Sequence, residues 1–454
     1  MTTAIRQLTR TQQLGWAAGA MGTGMMIGSV TSYALFIMTS VLGIGAATAG
    51  LLIGLSKFVD VIIDPVIGRI SDRFDHRWGR RRPFLLIGLV VAPLAFIAIF
   101  NVSAAPSAAL NVAMIAVILI AIAAGTSLFM VPYMAMAAEM TTSTAERTVL
   151  MSQRVLFNTL GLLAMSVALP YLVTTFGGRP VGFGPAGAIM AIVVAVSFAT
   201  AFWSTRAAPF VPRTTDKDYT LGDQLRFIAT NRSFACFIGA KICTFLAQSS
   251  VQGTLLIYGV YVLGRDERFL APFGIGYTVG SLAALPFWAW LMTRKVSKRT
   301  AYNLAILGLG LVFLTWILAG PNEPTWAAWA RFLAVGLLSA GSMTAGTAML
   351  PDLMELDRRT TGVRQEGLYA GAYTLVENVG STIGPVIVGA ALGMAGFVAT
   401  TGGATVSQPQ SALTAIIICV SVVPALFMIV AAVLMRGYTV DNDLRVVASN
   451  DRPA

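Results

Sequence analysis

The sequence predicts an all-α membrane protein with twelve transmembrane helices. Its 454 residues are 56% hydrophobic and only 11% charged, with a mean hydropathy of +0.76, whereas soluble domains carry about 25% charged residues. Apolar runs of about 18 or more residues recur along the chain, and each can cross a hydrocarbon core of about 30 Å. Lysine and arginine are confined mainly to alternate connections between these runs.

Twelve apolar segments are predicted to be the helices. In chain order they are 15–41, 46–70, 83–103, 109–137, 150–174, 183–205, 233–262, 270–292, 302–319, 326–350, 366–398 and 411–435. The polar residues 1–13 lead into a first segment that is longer than the apolar region of a signal peptide, so no cleavable signal is expected.

The basic residues predict the orientation. Of the 31 lysines and arginines, 24 fall at the termini and in one alternate set of connections, and the other set holds only Arg179, Arg265 and Arg268. The positive-inside rule therefore predicts a multi-pass protein of the plasma (inner) membrane with both termini in the cytoplasm. Basic loops beside anionic lipid also account for the net charge of +11, which argues against a nucleic-acid partner and for the lipid bilayer.

The longest polar connection divides the predicted helices into two sets of six. The expected units are an N-terminal bundle (1–205), a cytoplasmic linker (206–232), a C-terminal bundle (233–436) and a cytoplasmic tail (437–454). In each bundle a short basic loop joins the second and third helices. Two such repeats around a site at the membrane midplane are typical of alternating-access transporters.

Residues that commonly bind metals or catalyse reactions are scarce. The cysteines Cys236, Cys243 and Cys419 lie in apolar segments, where they are expected to be small core residues. His76 is the only histidine. Because no Walker motif, His/Cys cluster or Ser-His-Asp arrangement is recognised, we expect no enzyme activity, no catalytic residue, no metal centre and no cofactor.

The second predicted helix carries charges at membrane depth. Asp60 and Asp64 lie in an apolar stretch of 26 residues, 46–71, although a charged side chain at the bilayer centre costs about 2.5–3.5 kcal/mol on insertion scales. At 100° per residue, Lys57, both aspartates and Gly68 fall within an arc of about 80°. This stripe predicts a cation or proton site, and hence a transporter.

The loop after this helix carries the most specific motif. The residues Gly68, Asp72 and Arg73, followed by the run Gly79-Arg80-Arg81-Arg82-Pro83, resemble the Gly-x3-Asp-Arg…Gly-Arg-Arg loop of the major facilitator superfamily. The resemblance implies the major facilitator fold. It also implies a cytoplasmic gate, assigned to Gly68, Asp72, Arg73, Arg80, Arg81 and Glu139, in which an acid beside arginines closes the cytoplasmic side.

Three further strings narrow the family. The string Lys57-Phe-Val-Asp60-Val-Ile-Ile-Asp64-Pro65 resembles the second-helix signature of the glycoside–pentoside–hexuronide:cation symporters, a melibiose permease-like family. The string Val131-Pro132-Tyr133, with Glu139, Glu146-Arg147 and Arg154 after it, resembles the family's fourth and fifth helices. The string Thr361-Gly-Val-Arg364-Gln-Glu366-Gly367 resembles the opening of its eleventh helix.

The resemblance implies a cation site formed by Asp60, Asp64 and Ser127, with Lys57 and Arg154 as charge partners. Carboxylate and hydroxyl oxygens suit a small hard cation. Two acids about 6 Å apart along a helix also raise each other's proton affinity. The coupling ion is therefore Na⁺ or H⁺, and the sequence leaves both open.

The implied substrate site departs from the family prototype. Gly24 and Met130 stand where melibiose permease has sugar-binding aspartates, Met134 replaces a stacking tryptophan, and Asn378 replaces a lysine. These changes disfavour a galactoside. The candidate substrate-binding residues are Gly24, Met130, Tyr133, Met134, Arg154, Asn158, Gln248, Tyr373, Thr374, Glu377 and Asn378. Two other charged residues of the spans, Lys241 and Arg331, are expected to extend toward the nearest helix end.

The predicted function is cation-coupled uptake of a sugar or glycoside by alternating access, in a protein expected to be a monomer that binds a small-molecule substrate and a monovalent cation. One alternative is the same mechanism with a non-sugar or amphiphilic solute. A membrane sensor is the alternative from another class, and the short tail after Arg436 disfavours it.

Overall fold

The structure is a computed structural model that describes residues 8–74, 76, 78–141, 143–206, 208, 222, 231–294, 296–361, 366–404 and 406–440. Most of the predicted linker (206–232) and tail (437–454) lies outside the described residues, as do Arg364 and Gln365 of the eleventh-helix motif.

The described residues form twelve long helices and no β-strand beyond one isolated bridge between Leu42 and Thr401. The first six are α1 (Arg10–Ser40, including a π-helical segment at Ser29–Ala34), α2 (Ala46–Arg73), α3 (Arg82–Asn101), α4 (Ala108–Met140), α5 (Thr144–Thr175) and α6 (Phe183–Ser204). The second six are α7 (Arg232–Tyr261), α8 (Leu270–Arg294), α9 (Lys298–Leu318), α10 (Thr325–Thr361), α11 (Glu366–Met394) and α12 (Gln410–Gly437).

All twelve helices contain a stretch long and apolar enough to cross a membrane, so the predicted number of helices is confirmed. The largest difference from the predicted ends is in α10, which continues from residue 350 to Thr361. Glu355 pairs there with Arg358 and Arg359, three and four residues later on the same face. Such pairs stabilise a helix that has left the apolar region, so hydropathy alone ends the segment too early.

The same packing pattern occurs twice along the chain. In the first six helices, α1 packs on α5 and α6, and α4 packs on α2 and α3. In the second six, α7 packs on α11 and α12, and α10 packs on α8 and α9. The central helices of both sets, α1 and α7, are in contact with each other.

The two sets of helices meet most closely at one end. We call the end that carries the start of α1 the terminal face and the other end the opposite face. Near the opposite face, Gly50 and Gly54 of α2 lie against α11, where a Cβ added at Gly50 would come within 2.6 Å of the Pro385 carbonyl oxygen and 2.9 Å of Gly389 Cα. Small residues spaced four apart allow helix backbones to approach this closely in a membrane.

A loop also seals the opposite face. Residues after α11 bond to the end of α1: Thr400 N–H donates to the Thr39 carbonyl at 2.8 Å, and Gly402 N–H donates to the Val41 carbonyl at 2.9 Å. Gly402 has a φ of +66°, a conformation that glycine adopts readily. On the same helix α11, Pro385 is buried whereas Glu377, closer to the terminal face, is exposed. The structure is therefore closed at the opposite face and open at the terminal face.

Candidate functional site

The charged stripe of α2 forms one end of the candidate cation site. Lys57 Nζ donates to the Asp60 carboxylate at 3.2 Å, and both side chains are little more than a fifth exposed. The pair is three residues apart on one helix, which is the spacing of neighbouring side chains on a helical face. Lys57 thus neutralises Asp60 and leaves Asp64 as the second acid of the stripe.

Asp64 lies where α2 packs against α4. Its carboxylate interacts with the Ser127 hydroxyl of α4, with Asp60 and with Lys57, and Ser127 is 4% exposed. The structure therefore brings together the three oxygen-bearing residues that the sequence predicts for the cation site. Two carboxylates and a hydroxyl offer hard oxygen donors to a small cation, and neighbouring carboxylates also favour binding a proton.

The Thr126 hydroxyl lies close to the charged residues of α2. A small cavity of about 20 Å³ is lined by Lys57, Asp60 and Thr126, together with apolar residues of α1 and α4, which is space for one water-sized particle. The Thr126 hydroxyl is buried and has no hydrogen-bond partner among the described residues. Thr126 is not among the residues predicted for the cation site, although its position directly before Ser127 is a signal that could identify it.

The predicted gate residues form a compact ionic cluster at the terminal face. Arg81 bonds to Asp72 at 2.6 Å and through Nε to Glu139 at 2.8 Å, and Arg80 also pairs with Glu139. Arg81 and Glu139 are 10% and 7% exposed, so their charges are largely removed from water. The cluster ties the α2–α3 loop to the end of α4.

The other two predicted gate residues make fewer contacts. Arg73 is exposed at the end of α2. A Cβ added at Gly68 would lie 3.7 Å from a methyl group of Val131, which is an ordinary packing distance.

The candidate substrate residues of the first six helices fall into two groups. Arg154 and Asn158 are one turn apart on α5 and are both half-buried. Gly24 lies against this turn, where an added Cβ would come within 2.4 Å of the Asn158 carbonyl oxygen. A larger residue at position 24 would therefore push α1 away from α5, and Gly24 serves close helix packing.

The second group lies on α4 and contributes to packing against α1. The Tyr133 ring stacks on Trp16 with centroids 4.6 Å apart, and Trp16 Nε1 donates to the Tyr133 carbonyl at 3.2 Å. Tyr133 is fully buried, whereas Met130 and Met134 are half-buried. The Arg154 guanidinium acts electrostatically on Tyr133, which places the two groups next to each other.

The remaining candidates lie on α7 and α11. Tyr373 and Glu377 are one turn apart on α11, and Glu377 and Thr374 are exposed. Asn378 and Gln248 are half-buried. Glu377 interacts electrostatically with Lys241 of α7 and with Arg154 of α5. One carboxylate thus lies between a cation from each set of six helices.

The expectation that Lys241 extends toward the helix end is wrong. Its side chain turns inward and is 6% exposed. The ammonium lies over three rings, with Nζ 5.2 Å from the centroid of Phe245 and 5.6 Å from those of Tyr302 and Tyr373. Aromatic faces attract a cation at this range, and Gly346 leaves room because an added Cβ would approach Nζ to 2.8 Å.

Arg331 is likewise held by protein groups. It pairs with Glu323, and its Nε donates to the Thr315 hydroxyl at 3.0 Å.

Comparison with known proteins covers nearly the whole chain. Residues 15–442 match the sequence profile of a family described as MFS/sugar transport protein. An inner membrane symporter of Escherichia coli, YicJ, is 24% identical over 94% of this chain and 91% of its own length. An isoprimeverose transporter of Lactiplantibacillus pentosus is 26% identical over 91% of this chain and 85% of its own length.

Solved structures share the fold. A bacterial homolog of the human lysosomal transporter Spinster, crystallised in an inward-facing and unoccupied conformation, superimposes with a TM-score of 0.65 at 13% identity, over 95% of this chain and 96% of that one. At this identity the similarity concerns the fold alone.

Proposed function

The chain belongs to the MFS/sugar transport protein family, and from this premise we propose that it couples the uptake of a sugar or glycoside to the entry of a small cation. The observation that carries the proposal is the group on α2 and α4 in which Asp64 interacts with Ser127 and Asp60. Charged groups within membrane helices mark ion pathways in transporters. Relatives that are named symporters and a sugar transporter support the same function.

The bound ion belongs at Asp64 because Asp60 already has a partner. The Lys57 ammonium neutralises Asp60 at 3.2 Å, while the described residues provide Asp64 with no ion pair. A Na⁺ ion or a proton at Asp64 would remove this remaining charge. We assign Lys57 the role of holding the empty site together, since without it two adjacent carboxylates would repel each other.

Alternating access follows from where the two sets of helices touch. We propose that the bundles predicted at 1–205 and 233–436 move as units about the contact between α1 and α7. The positive-inside rule assigns the terminal face to the cytoplasm, so the structure corresponds to an inward-open state of an inner-membrane protein with cytoplasmic termini. In the outward-open state the α2–α11 contact at Gly50 and the α1 contact at Thr400 would separate.

The ionic cluster at the cytoplasmic face fits a gate. Asp72, Arg81 and Glu139 are joined within the first six helices in this open state. We propose that Asp72, which is 44% exposed, can exchange its partner when the cytoplasmic ends of the two bundles approach each other.

The experiment uses the purified full-length protein in liposomes. A Na⁺ or proton gradient is imposed, and accumulation of radiolabelled sugars is compared for wild type, Asp64→Asn and, as control, Asp266→Asn in an exposed loop. We expect gradient-driven accumulation by wild type and control, and none by Asp64→Asn, although that variant should still fold and insert. Accumulation by Asp64→Asn at the wild-type rate would overturn the assignment of the ion site.

A further inference from the structure

We propose that the transported solute carries a single negative charge, which binds between Arg154 of α5 and Lys241 of α7. The inference rests on the proposed symport function and adds the charge of the solute to it. It makes Lys241, which the family resemblance did not indicate, a determinant of specificity.

Lys241 is a buried cation that forms no ion pair with any described residue. Its ammonium is surrounded by the rings of Phe245, Tyr302 and Tyr373 at 5.2–5.6 Å. Among the described residues, the Glu377 carboxylate interacts electrostatically with the Lys241 ammonium. The two groups are too far apart to form an ion pair. Ring faces stabilise the charged form but accept no strong hydrogen bond, so the donors of the ammonium remain available to a ligand.

Arg154 is in the same situation in the other half of the protein. Its Nε is buried without a hydrogen-bond partner among the described residues. Glu377 acts electrostatically on Arg154 as well as on Lys241, so one carboxylate serves two cations. A solute bound here would contact both sets of helices, as coupling of binding to their relative movement requires.

Counting the charges of the membrane interior gives the sign of the solute. Lys298 and Asp352 neutralise each other at 2.5 Å. The six other acidic or basic side chains in the central parts of the described helices are Lys57, Asp60, Asp64, Arg154, Lys241 and Glu377. Three are cationic and three are anionic, so the empty carrier is balanced. Entry of one cation at Asp64 leaves one positive charge in excess.

A monoanionic solute restores the balance. Excess charge in the membrane interior costs several kcal/mol, so a carrier loaded with one cation and one monoanion would cross between its two states more readily than one loaded with the cation alone. A carboxylate meets this requirement. A phosphate group, which carries about two negative charges at neutral pH, would reverse the imbalance.

The test compares matched solutes that differ only in charge. Purified protein in liposomes is offered methyl glucosides and galactosides, and the corresponding methyl uronides, in which a carboxylate replaces the terminal hydroxymethyl group. We expect accumulation of a uronide under a Na⁺ or proton gradient, and no current when that solute enters on a solid-supported membrane. Accumulation of neutral glycosides only would overturn the inference and leave the symport function standing, whereas accumulation of neither class would count against both.

The Lys241→Gln variant assigns the charge recognition to this residue. We expect it to weaken uronide binding about tenfold or more, as loss of a hydrogen bond to a charged group does, with less than a threefold change for a neutral glycoside or for the control Arg265→Gln. Lys241→Arg should recover part of the uronide affinity. Equal losses for uronide and neutral glycoside would give Lys241 a structural role only. Size-exclusion elution and melting temperature show whether each variant is folded. If Lys241→Gln does not fold, the comparison of uronides with neutral glycosides on the wild-type protein still tests the inference.

Discussion

The contact between α2 and α11 makes the conformational equilibrium sensitive to one methyl group. In the structure, which is closed at the opposite face, a Cβ at residue 50 would lie 2.6 Å from the Pro385 carbonyl oxygen and 2.9 Å from Gly389 Cα. Both are backbone atoms, so neither can be displaced by a side-chain rotation. Gly50→Ala therefore requires the two helices to move apart near the opposite face.

The size of the effect follows from the cost of overpacking. Adding a methyl group to a close contact costs about 1–3 kcal/mol. Because we propose that the contact separates in the outward-open state, the cost is expected to fall on the inward-open state. The ratio of inward-open to outward-open molecules should fall about 5- to 150-fold. The gain in helix propensity from glycine to alanine applies to both states and cancels in this ratio.

The assay is a spin-label distance measurement across the terminal face. Labels at Arg73 and Arg358, both exposed, report the separation of α2 and α10, in a background without the three native cysteines. We expect Gly50→Ala to shift the distances toward shorter values, and the control Gly45→Ala, where an added Cβ meets no atom within 4 Å, to leave them unchanged. Identical distances for Gly50→Ala and wild type would refute the reasoning.

Three other variants test the ionic groups. Asp72→Lys removes the carboxylate that we propose exchanges its partner from Arg81 to the other bundle on closure, so it should favour the inward-open state and raise cytoplasmic cysteine labelling; unchanged labelling with normal transport would leave the motif a signal of topology only. Glu139→Gln leaves Arg80 and Arg81 without their shared carboxylate and should cost about 3 kcal/mol, seen as a lower melting temperature in detergent; an unchanged temperature would contradict its role as a buried partner. For Asp64→Asn we expect substrate exchange without a gradient to persist while accumulation is lost, and loss of exchange too would place Asp64 in substrate binding.

The number of helices could be predicted from sequence because membrane burial leaves a simple signal. Each span needs about 20 apolar residues, and all twelve predicted segments correspond to helices of the structure. The family resemblance, carried by Lys57, Asp60 and Asp64 on α2, is confirmed by the match over residues 15–442. Here local spacing was sufficient, because the acidic stripe lies on one helix.

The candidate substrate region could not be predicted in the same way because its arrangement depends on contacts between distant helices. Sequence position suggested that Lys241 extends toward a helix end, but rings from three helices surround its ammonium. The family resemblance places Gly24 at a ligand position, and only its distance from the Asn158 carbonyl reveals its packing role. The proposed gate is intermediate: its arginines form a recognisable motif, while their partner Glu139 lies 58 residues after Arg81 in the chain.

The central claim is that the ion at Asp64 and the solute bind cooperatively. Isothermal titration of the solute found in the liposome assay, at high and zero Na⁺ and at pH 5.5 and 8, tests it most directly. Linkage requires the coupling cation to tighten solute binding by the factor with which the solute tightens cation binding, typically about 5- to 150-fold. We predict that one of the two ions does so in wild type and neither does in Asp64→Asn. Solute affinity and uptake independent of both Na⁺ and pH would make the protein a uniporter and contradict the account.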